Sequence, residues 1–279
     1  MTFNTPLAGQ SLWLKHDHKP SVSLEVYKIK YESHPYYGSY YNSDLLNLNT
    51  YLSFYIPASP DFGVVFEIPF TNLALKEPGY GMEMYDYSER TIGNPYIGIE
   101  YENPERNFIS SIGFRIPLVD DNKGDAAYQA IFTDPDRIEA FTIKRFNVYV
   151  SGAYNYQSPK GFTVRPGMGL LYSIPTVSGF TDPELFLRYY FQLWCETGAL
   201  TMAGGLTGLY SITEGDLDFS ERTFHHMNTA FFYQAGNFRP GLFLSVPLDS
   251  EFTYLKAYTY GFSLTFGFEN SSGYSTSFR

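Results

Sequence analysis

Residue character alternates with a period of two through most of this chain, and the alternation is clearest between residues 258 and 268. The apolar set is Tyr258, Tyr260, Phe262, Leu264, Phe266 and Phe268, and the intervening set is Thr259, Gly261, Ser263, Thr265 and Gly267. Because residues two apart share one face of a strand, this segment predicts a strand with one apolar and one small, polar face. A sandwich strand would carry more charge on its outward face, whereas Thr, Gly and Ser suit an enclosed lumen.

The same alternation recurs upstream and predicts twelve strands. They are 21–31, 46–57, 62–71, 94–103, 108–118, 145–157, 162–174, 184–196, 200–212, 224–235, 238–248 and 257–269. Long and short connections follow one another in turn, as outer loops and periplasmic turns do in outer-membrane barrels. The sequence therefore predicts an all-β fold, a transmembrane antiparallel up-and-down β-barrel of about twelve strands, with short periplasmic turns and long outer loops. Within the long connection 119–144, residues 126–130 predict a short helix.

Composition agrees with a barrel in a membrane. Aromatic residues make up 19% of the 279 residues, yet the mean hydropathy is −0.22. No run approaches the roughly 20 apolar residues of a spanning helix, and only helices and closed barrels satisfy their backbone groups in a bilayer. The formal net charge of −10 argues against a nucleic-acid partner, and the single Cys195 excludes an intrachain disulfide.

The barrel prediction sets the expected domains and surroundings. Residues 1–19 would form a periplasmic lead segment, 20–269 the barrel and 270–279 a polar C-terminal tail. The chain begins MTFNT, without the basic and apolar regions of a signal peptide. Since an outer-membrane protein needs that signal, we expect a mature form with an added initiator Met, located in a bacterial outer membrane. Its partners would be membrane lipid, a small-molecule solute and the outer-membrane assembly machinery.

Strand parity places seven charged residues on the lumen face. They are Glu25, Glu67, Glu100, Arg115, Arg165, Arg188 and Arg239. An Arg or Lys facing lipid near the midplane costs about 2–4 kcal/mol, so their position on the lumen side supports the assigned parity. Two interpretations stay open: a paired network that fills the lumen, or a charged constriction that selects solutes.

Four predicted strands that run outward from the periplasm end in a β-branched residue and proline. The prolines are Pro69, Pro117, Pro175 and Pro247. Proline lacks the N–H that a central ladder needs and usually sits at strand ends or bulges. These rim prolines would either terminate strands or mark bulges that open the wall laterally as a route for apolar solutes.

The segment Gly93–Tyr101, with sequence GNPYIGIEY, is followed by a strand that ends GFRIP at Pro117. The pair resembles the meta-pathway phenol-degradation family of outer-membrane proteins, in which a Gly-(Asp/Asn)-Pro segment opens a strand and the next strand ends in an aliphatic residue and Pro. The resemblance covers about 64–118 and 238–268. It implies an outer-membrane barrel that helps small, often aromatic, molecules across. Many such barrels end on an aromatic residue, whereas this chain continues past Phe268 and ends at Arg279.

We hypothesise a monomeric barrel for passive transport or binding of a small, hydrophobic or aromatic molecule, without enzymatic activity, cofactor or metal. The alternative is a non-transporting structural or surface-interaction barrel. A third hypothesis, an outer-membrane lipid hydrolase, would rest on His225, His226 and Ser220. Nucleophilic catalysis needs a base beside the nucleophile and a group that orients the base, and no sequence pattern completes that set.

Overall fold

The computed structural model describes residues 19–31, 44–78, 84–103, 107–159, 161–177, 182–214, 218–249 and 256–268. Fourteen strand segments account for most of them: β1 Ser21–Tyr31, β2 Asp44–Pro57, β3 Phe62–Pro78, β4 Met84–Ile92, β5 Tyr96–Asn103, β6 Phe108–Arg115, β7 Arg145–Tyr154, β8 Tyr156–Gln157, β9 Phe162–Pro175, β10 Glu184–Thr197, β11 Leu200–Ser211, β12 Thr223–Tyr233, β13 Phe238–Pro247 and β14 Lys256–Gly267. The helix α1 spans Gly124–Thr133, and short 3₁₀ segments cover Asp121–Lys123, Pro135–Ala140 and Phe219–Arg222. In the described part of the chain, no helix combines the length and apolarity needed to cross a membrane.

These segments form a closed antiparallel barrel of twelve strands. Consecutive wall strands pair with one another around the ring, β9 pairs with β10, and β14 pairs with β1 to close it. The fourteen segments make twelve wall strands, because β4 and β5 are two halves of one wall strand, as are β7 and β8. The predicted fold class is confirmed.

The side chains alternate as the sequence predicts. On β14 the apolar residues face outward, from 36% exposure at Leu264 to 47% at Phe266, while Thr259 and Ser263 face inward at 1–2%. Much of the interior is packed. A run of neighbouring rings crosses it from Tyr51 through Tyr27, Phe243 and Phe232 to Trp194, with centroids 5.4–6.3 Å apart.

Two predicted boundaries are wrong. Residues 72–93 are not a loop, because β3 continues to Pro78 and β4 returns from Met84 as its partner. The strand predicted as 108–118 ends at Arg115, because the chain there turns into the lumen. The predicted lead segment up to residue 18 and the predicted tail from residue 270 lie outside the described residues.

Candidate functional site: a plugged lumen beside a seam in the wall

The connection between β6 and β7, residues 119–144, folds into the barrel, and we call it the plug. Its predicted helix exists as α1, and Ala126, Ala127 and Ala130 are fully buried. Small alanines let the helix lie close against the inner wall. The side chain of Asn49 donates to Ala130 O at 2.8 Å, and Thr259 Oγ1 donates to Thr133 O at 2.9 Å. Inward-facing polar residues of β2 and β14 thus hold the end of the helix.

Arg137 of the plug is the centre of a buried ion network. Its Nη1 lies 3.2 Å from Glu25 Oε1 and 3.0 Å from Glu67 Oε2, and its Nε lies 2.7 Å from Asp134 Oδ2. Its guanidinium carbon is 3.3 Å from the ring centroid of Tyr51. Since Arg137, Glu25 and Glu67 are at most 1% exposed, the strength of these pairs is not reduced by bulk water.

Glu139 extends the network across the lumen. Its Oε1 lies 3.5 Å from Arg115 Nε, and its Oε2 lies 3.0 Å from Arg188 Nη2. Arg115 also contacts Glu67 at 2.7 Å. Two plug residues therefore join four of the seven charges that parity places inside, and neither Arg137 nor Glu139 is among the residues predicted from sequence.

The other three lumen charges are also buried, at 1–6% exposure. Arg165 Nε donates to Asn155 Oδ1 at 2.6 Å, and its guanidinium carbon lies 5.1 Å from the Trp194 ring. That of Arg239 lies 4.2 Å from the Phe232 ring. Glu100 is on the lumen face of β5. The two cations thus form an arginine–aromatic layer nearer the barrel end at which the described chain begins and ends.

Asn94 fastens both ends of the plug to the wall and is fully buried. Its Oδ1 accepts from the backbone N–H of Leu118 at 2.9 Å and of Val119 at 3.2 Å. Its Nδ2 donates to the carbonyls of Glu139 at 3.0 Å and Thr142 at 2.7 Å. One side chain therefore meets the chain where it enters the lumen and again where it leaves.

The segment that carries Asn94 also interrupts the wall. Between the pairs Glu67–Tyr96 and Phe70–Ile92, three residues of the β4–β5 strand face two of β3, which is a β-bulge. Beyond the bulge, β4 pairs with β3 alone among the described strands. Ile116 N donates to Pro95 O at 3.0 Å, and the chain then leaves the wall. We call this break, bounded by β4 and residues 116–119, the seam.

Two of the four predicted prolines end strands, and the other two lie at the seam and its bulge. Pro175 and Pro247 are the last residues of β9 and β13. Pro117 follows the end of β6 in the seam. Pro69 does not end its strand: it lies inside β3, at the bulge, where its carbonyl accepts from Gly93 N at 2.8 Å.

The residues of the hydrolase hypothesis are not brought together. On β12, His226 faces the lumen at 4% exposure, whereas His225 faces outward. The partners of His225 are Tyr189 Oη, 2.6 Å from Nε2, and the carboxylate of Asp249, 2.9 Å from Nδ1. No serine is among them. Ser220 lies in the 3₁₀ segment before β12.

The acidic residues at the start of the plug are engaged separately. Asp120 caps Asn122 N at 2.9 Å, Asp125 accepts from Tyr87 at 3.3 Å, and Asp121 pairs with Lys144, which lowers the pKa of the Asp121 carboxyl. Within the described ranges no three His, Cys, Asp or Glu residues are grouped to hold a metal ion.

Solved structures share this fold. The COG4313 outer membrane channel from Pseudomonas putida F1 has a TM-score of 0.59 at 12% identity, over 90% of this chain and 96% of that one. The translocator domain of autotransporter NalP from Neisseria meningitidis has a TM-score of 0.57 at 8% identity, over 90% and 89%. LpxR from Salmonella typhimurium has a TM-score of 0.51 at 9% identity, over 89% and 100%. No family model and no curated protein matches the sequence. At such identities the likeness is one of fold.

Proposed function

We propose that this barrel, which shares its fold with an outer-membrane channel, is itself a passive channel of a bacterial outer membrane for small hydrophobic molecules, aromatic ones included. The observation that carries the proposal is the seam beside a plugged lumen. The plug and its ion network fill the direct route through the middle of the barrel. A break in the wall next to that plug offers an apolar solute a way between lumen and bilayer.

The outer surface around the seam suits such a solute. Phe114, Ile116 and Leu118 are 39%, 44% and 52% exposed, and Ile92 across the break is 41% exposed. A hydrophobic molecule that leaves the lumen here would pass directly into hydrocarbon, without crossing water. The charged network then acts as a barrier to ions, and the arginine–aromatic layer of Arg165 and Arg239 lines the remaining interior toward the periplasm.

The setting follows from the same proposal. The outward apolar face requires lipid, and insertion of such a barrel requires the outer-membrane assembly machinery as a partner. The GNP segment and the proline-marked strands around the seam support membership of the phenol-degradation-like family that the sequence resembles.

Vesicles with a lipopolysaccharide outer leaflet test the transport proposal, because that leaflet slows hydrocarbons that cross phospholipid unaided. The purified barrel should speed naphthalene uptake, followed by its fluorescence, while planar-bilayer ion conductance stays low. Ile116→Asn should reduce uptake severalfold by placing an amide in the seam. The matched variant Ile99→Asn, on the intact β5–β6 ladder at 49% exposure, should not.

Uptake no faster than in protein-free vesicles would contradict transport and favour a structural or surface-interaction barrel. Equal loss in both variants would contradict the seam as the route. The outward position of His225, with tyrosine and aspartate as its partners, does not favour lipid hydrolysis.

A further inference from the structure

A groove of about 500 Å³ lies on the barrel wall beside the seam. Its outward-facing lining forms two rows across β2, β3 and β4, set by strand register. The inner row, nearer the bilayer midplane, is Thr50, Phe70 and Ile92, and the outer row, nearer the outer loops, is Leu48, Asn72 and Arg90. The inner row is mainly apolar and the outer row mainly polar, so the groove is amphipathic along the membrane normal.

The bulge at Gly93–Pro95 explains why the wall is recessed here. β3 changes partner from β5 to β4 at this point, and bulges increase local twist and bend the strand. The groove begins at the first pair beyond the bulge, Phe70 with Ile92. It is therefore built by the backbone rather than by a gap between mobile side chains.

Arg90 is the charged group of the groove. Its side chain is exposed, and its Nε donates to Asn72 Oδ1 at 3.1 Å. Among the described residues no carboxylate pairs with it. Because Asn72 accepts from Arg90 through Oδ1, its Nδ2 is directed to act as a further donor. An arginine fork beside an amide donor matches the oxygens of a phosphate.

The depth of the groove in the membrane indicates what kind of phosphate it would bind. Phe62, 45% exposed and 5.0 Å from the ring of Tyr101, begins β3 at the barrel end where the described chain starts and finishes, which is where an aromatic girdle is expected. Asn72 lies ten residues further along β3. At about 3.4 Å per residue and a tilt near 45°, that is about 24 Å along the membrane normal, close to the roughly 25 Å height of the apolar band. Arg90, paired opposite Asn72, is therefore at the level of the outer headgroups.

We propose that this groove binds a phosphorylated lipid of the outer leaflet. The phosphate lies on Arg90 and Asn72. An acyl chain follows Phe70 and Ile92 toward the bilayer midplane, where Leu52 and Ile68 are the next outward-facing pair of β2 and β3. A bound lipid would flank the seam and seal the wall at its outer edge. The proposal rests on the barrel fold and its depth in the membrane, so it stands or falls separately from transport.

Lipid A titrated into the detergent-solubilised barrel, with binding measured by native mass spectrometry, tests it. We expect a stoichiometric complex, and Arg90→Gln should weaken it roughly tenfold or more, as loss of a charge-assisted hydrogen bond does. Phe70→Ala should weaken it through the acyl contact. The control Arg222→Gln removes an arginine stacked 5.1 Å from Tyr210 at the outer rim on another part of the wall, and should leave binding unchanged. Folding of each variant is checked by heat-modifiable electrophoretic mobility.

Two further probes separate the sources of phosphate. Dephosphorylated lipid A should bind as weakly as Arg90→Gln binds lipid A, and inorganic phosphate at the same concentration should not displace the lipid. Equal binding of the dephosphorylated lipid, or equal losses in Arg90→Gln and Arg222→Gln, would overturn the site. Displacement by inorganic phosphate would overturn the lipid as its ligand.

Discussion

Arg137 lies where wall and plug charges meet, within 3.2 Å of carboxylates from β1, β3 and its own segment. When this cation is removed, Glu25 stays buried without its ion pair, whereas Glu67 keeps its pair with Arg115. Such a loss costs more than the ion pair itself contributes, because desolvation of the remaining carboxylate is no longer offset.

Replacement of Arg137 by Met should therefore destabilise the barrel by about 3–5 kcal/mol, since Glu25 stays buried without its ion pair and Glu67 loses one of its two cations. Urea unfolding in detergent, followed by electrophoretic mobility, measures the change. Lys144→Met is the matched control: it removes a plug cation whose ion pair with Asp121 is 32% and 54% exposed, and should cost much less because solvent screens that pair. Similar losses in both variants would mean that the buried network is not what holds the plug.

The sequence predicted the members of this network that lie on the wall strands, but not those that lie on the plug. The period of two places Glu25, Glu67, Arg115 and Arg188 inside, because strand parity is local information. Arg137 and Glu139 lie in a 3₁₀ segment, where no periodicity says which way a side chain points. The available signal was charge balance: two buried glutamates, on β1 and β3, need a cation, and the plug sequence DPDRIEA supplies one.

At the scale of elements, the plug is fixed to the wall at Gly93 and Asn94. A Cβ added to Gly93 would lie 2.4 Å from the carbonyl oxygen of Ala140 and 2.7 Å from Pro69 Cγ, so only glycine lets plug and wall approach so closely. The glycine thus determines how tightly the plug closes against the bulge.

Gly93→Ala should push the plug away from the wall and raise single-channel ion conductance above that of the parent barrel. Planar-bilayer recording measures the change. Gly204→Ala is the control, because its added Cβ would meet nothing closer than Asn228 O at 3.7 Å. Unchanged conductance in Gly93→Ala would show that the plug yields without opening a path.

The outer halves of β3 and β4 show where sequence patterns fail for an element. In the wall, apolar residues face lipid, whereas at residues 72–74 the polarity is reversed: Asn72 faces outward and Leu73 inward, at 4% exposure. The reversal follows from the plug, since α1 packs against β3 and β4 and gives their inner faces an apolar neighbour. A pattern that expects the lipid side to be apolar ends the strand at residue 71.

At the scale of the whole molecule, folding depends on which solvent meets which face. Phe262 lies midway along β14, is 41% exposed on the outward face and is flanked by inward-facing residues such as Ser263. The packed interior of the barrel does not contact this outward stripe of apolar side chains. Contact with hydrocarbon is what stabilises the stripe.

Phe262→Arg should lower the free energy of unfolding from phospholipid vesicles by about 2–4 kcal/mol, the cost of an arginine near the bilayer midplane. Urea titration of the vesicle-inserted protein measures it. Phe219→Arg changes a residue of equal type that is 64% exposed in a 3₁₀ segment outside the wall strands, and should have little effect. Equal tolerance of both substitutions would contradict a lipid-facing stripe.

The fold of the whole molecule was predictable because its signals are local and repeated: alternation sets the strands, and connection lengths set their direction. The contents of the lumen were not, because they depend on pairing between the plug and strands far away in sequence, such as Arg137 with Glu25 across 112 residues. Only the helix of the plug was locally encoded, and residues 126–130 predicted it.

Asn94 holds the chain at Leu118 and Val119 and again at Glu139 and Thr142, so the excursion into the lumen starts and finishes at a single place on the wall. Because both ends of this loop are held at one place, a longer loop costs only slightly more entropy to close, about 0.6 kcal/mol for each doubling of its length. The length of the intervening segment can therefore change, and with it the character of the pore, without altering the register of any wall strand.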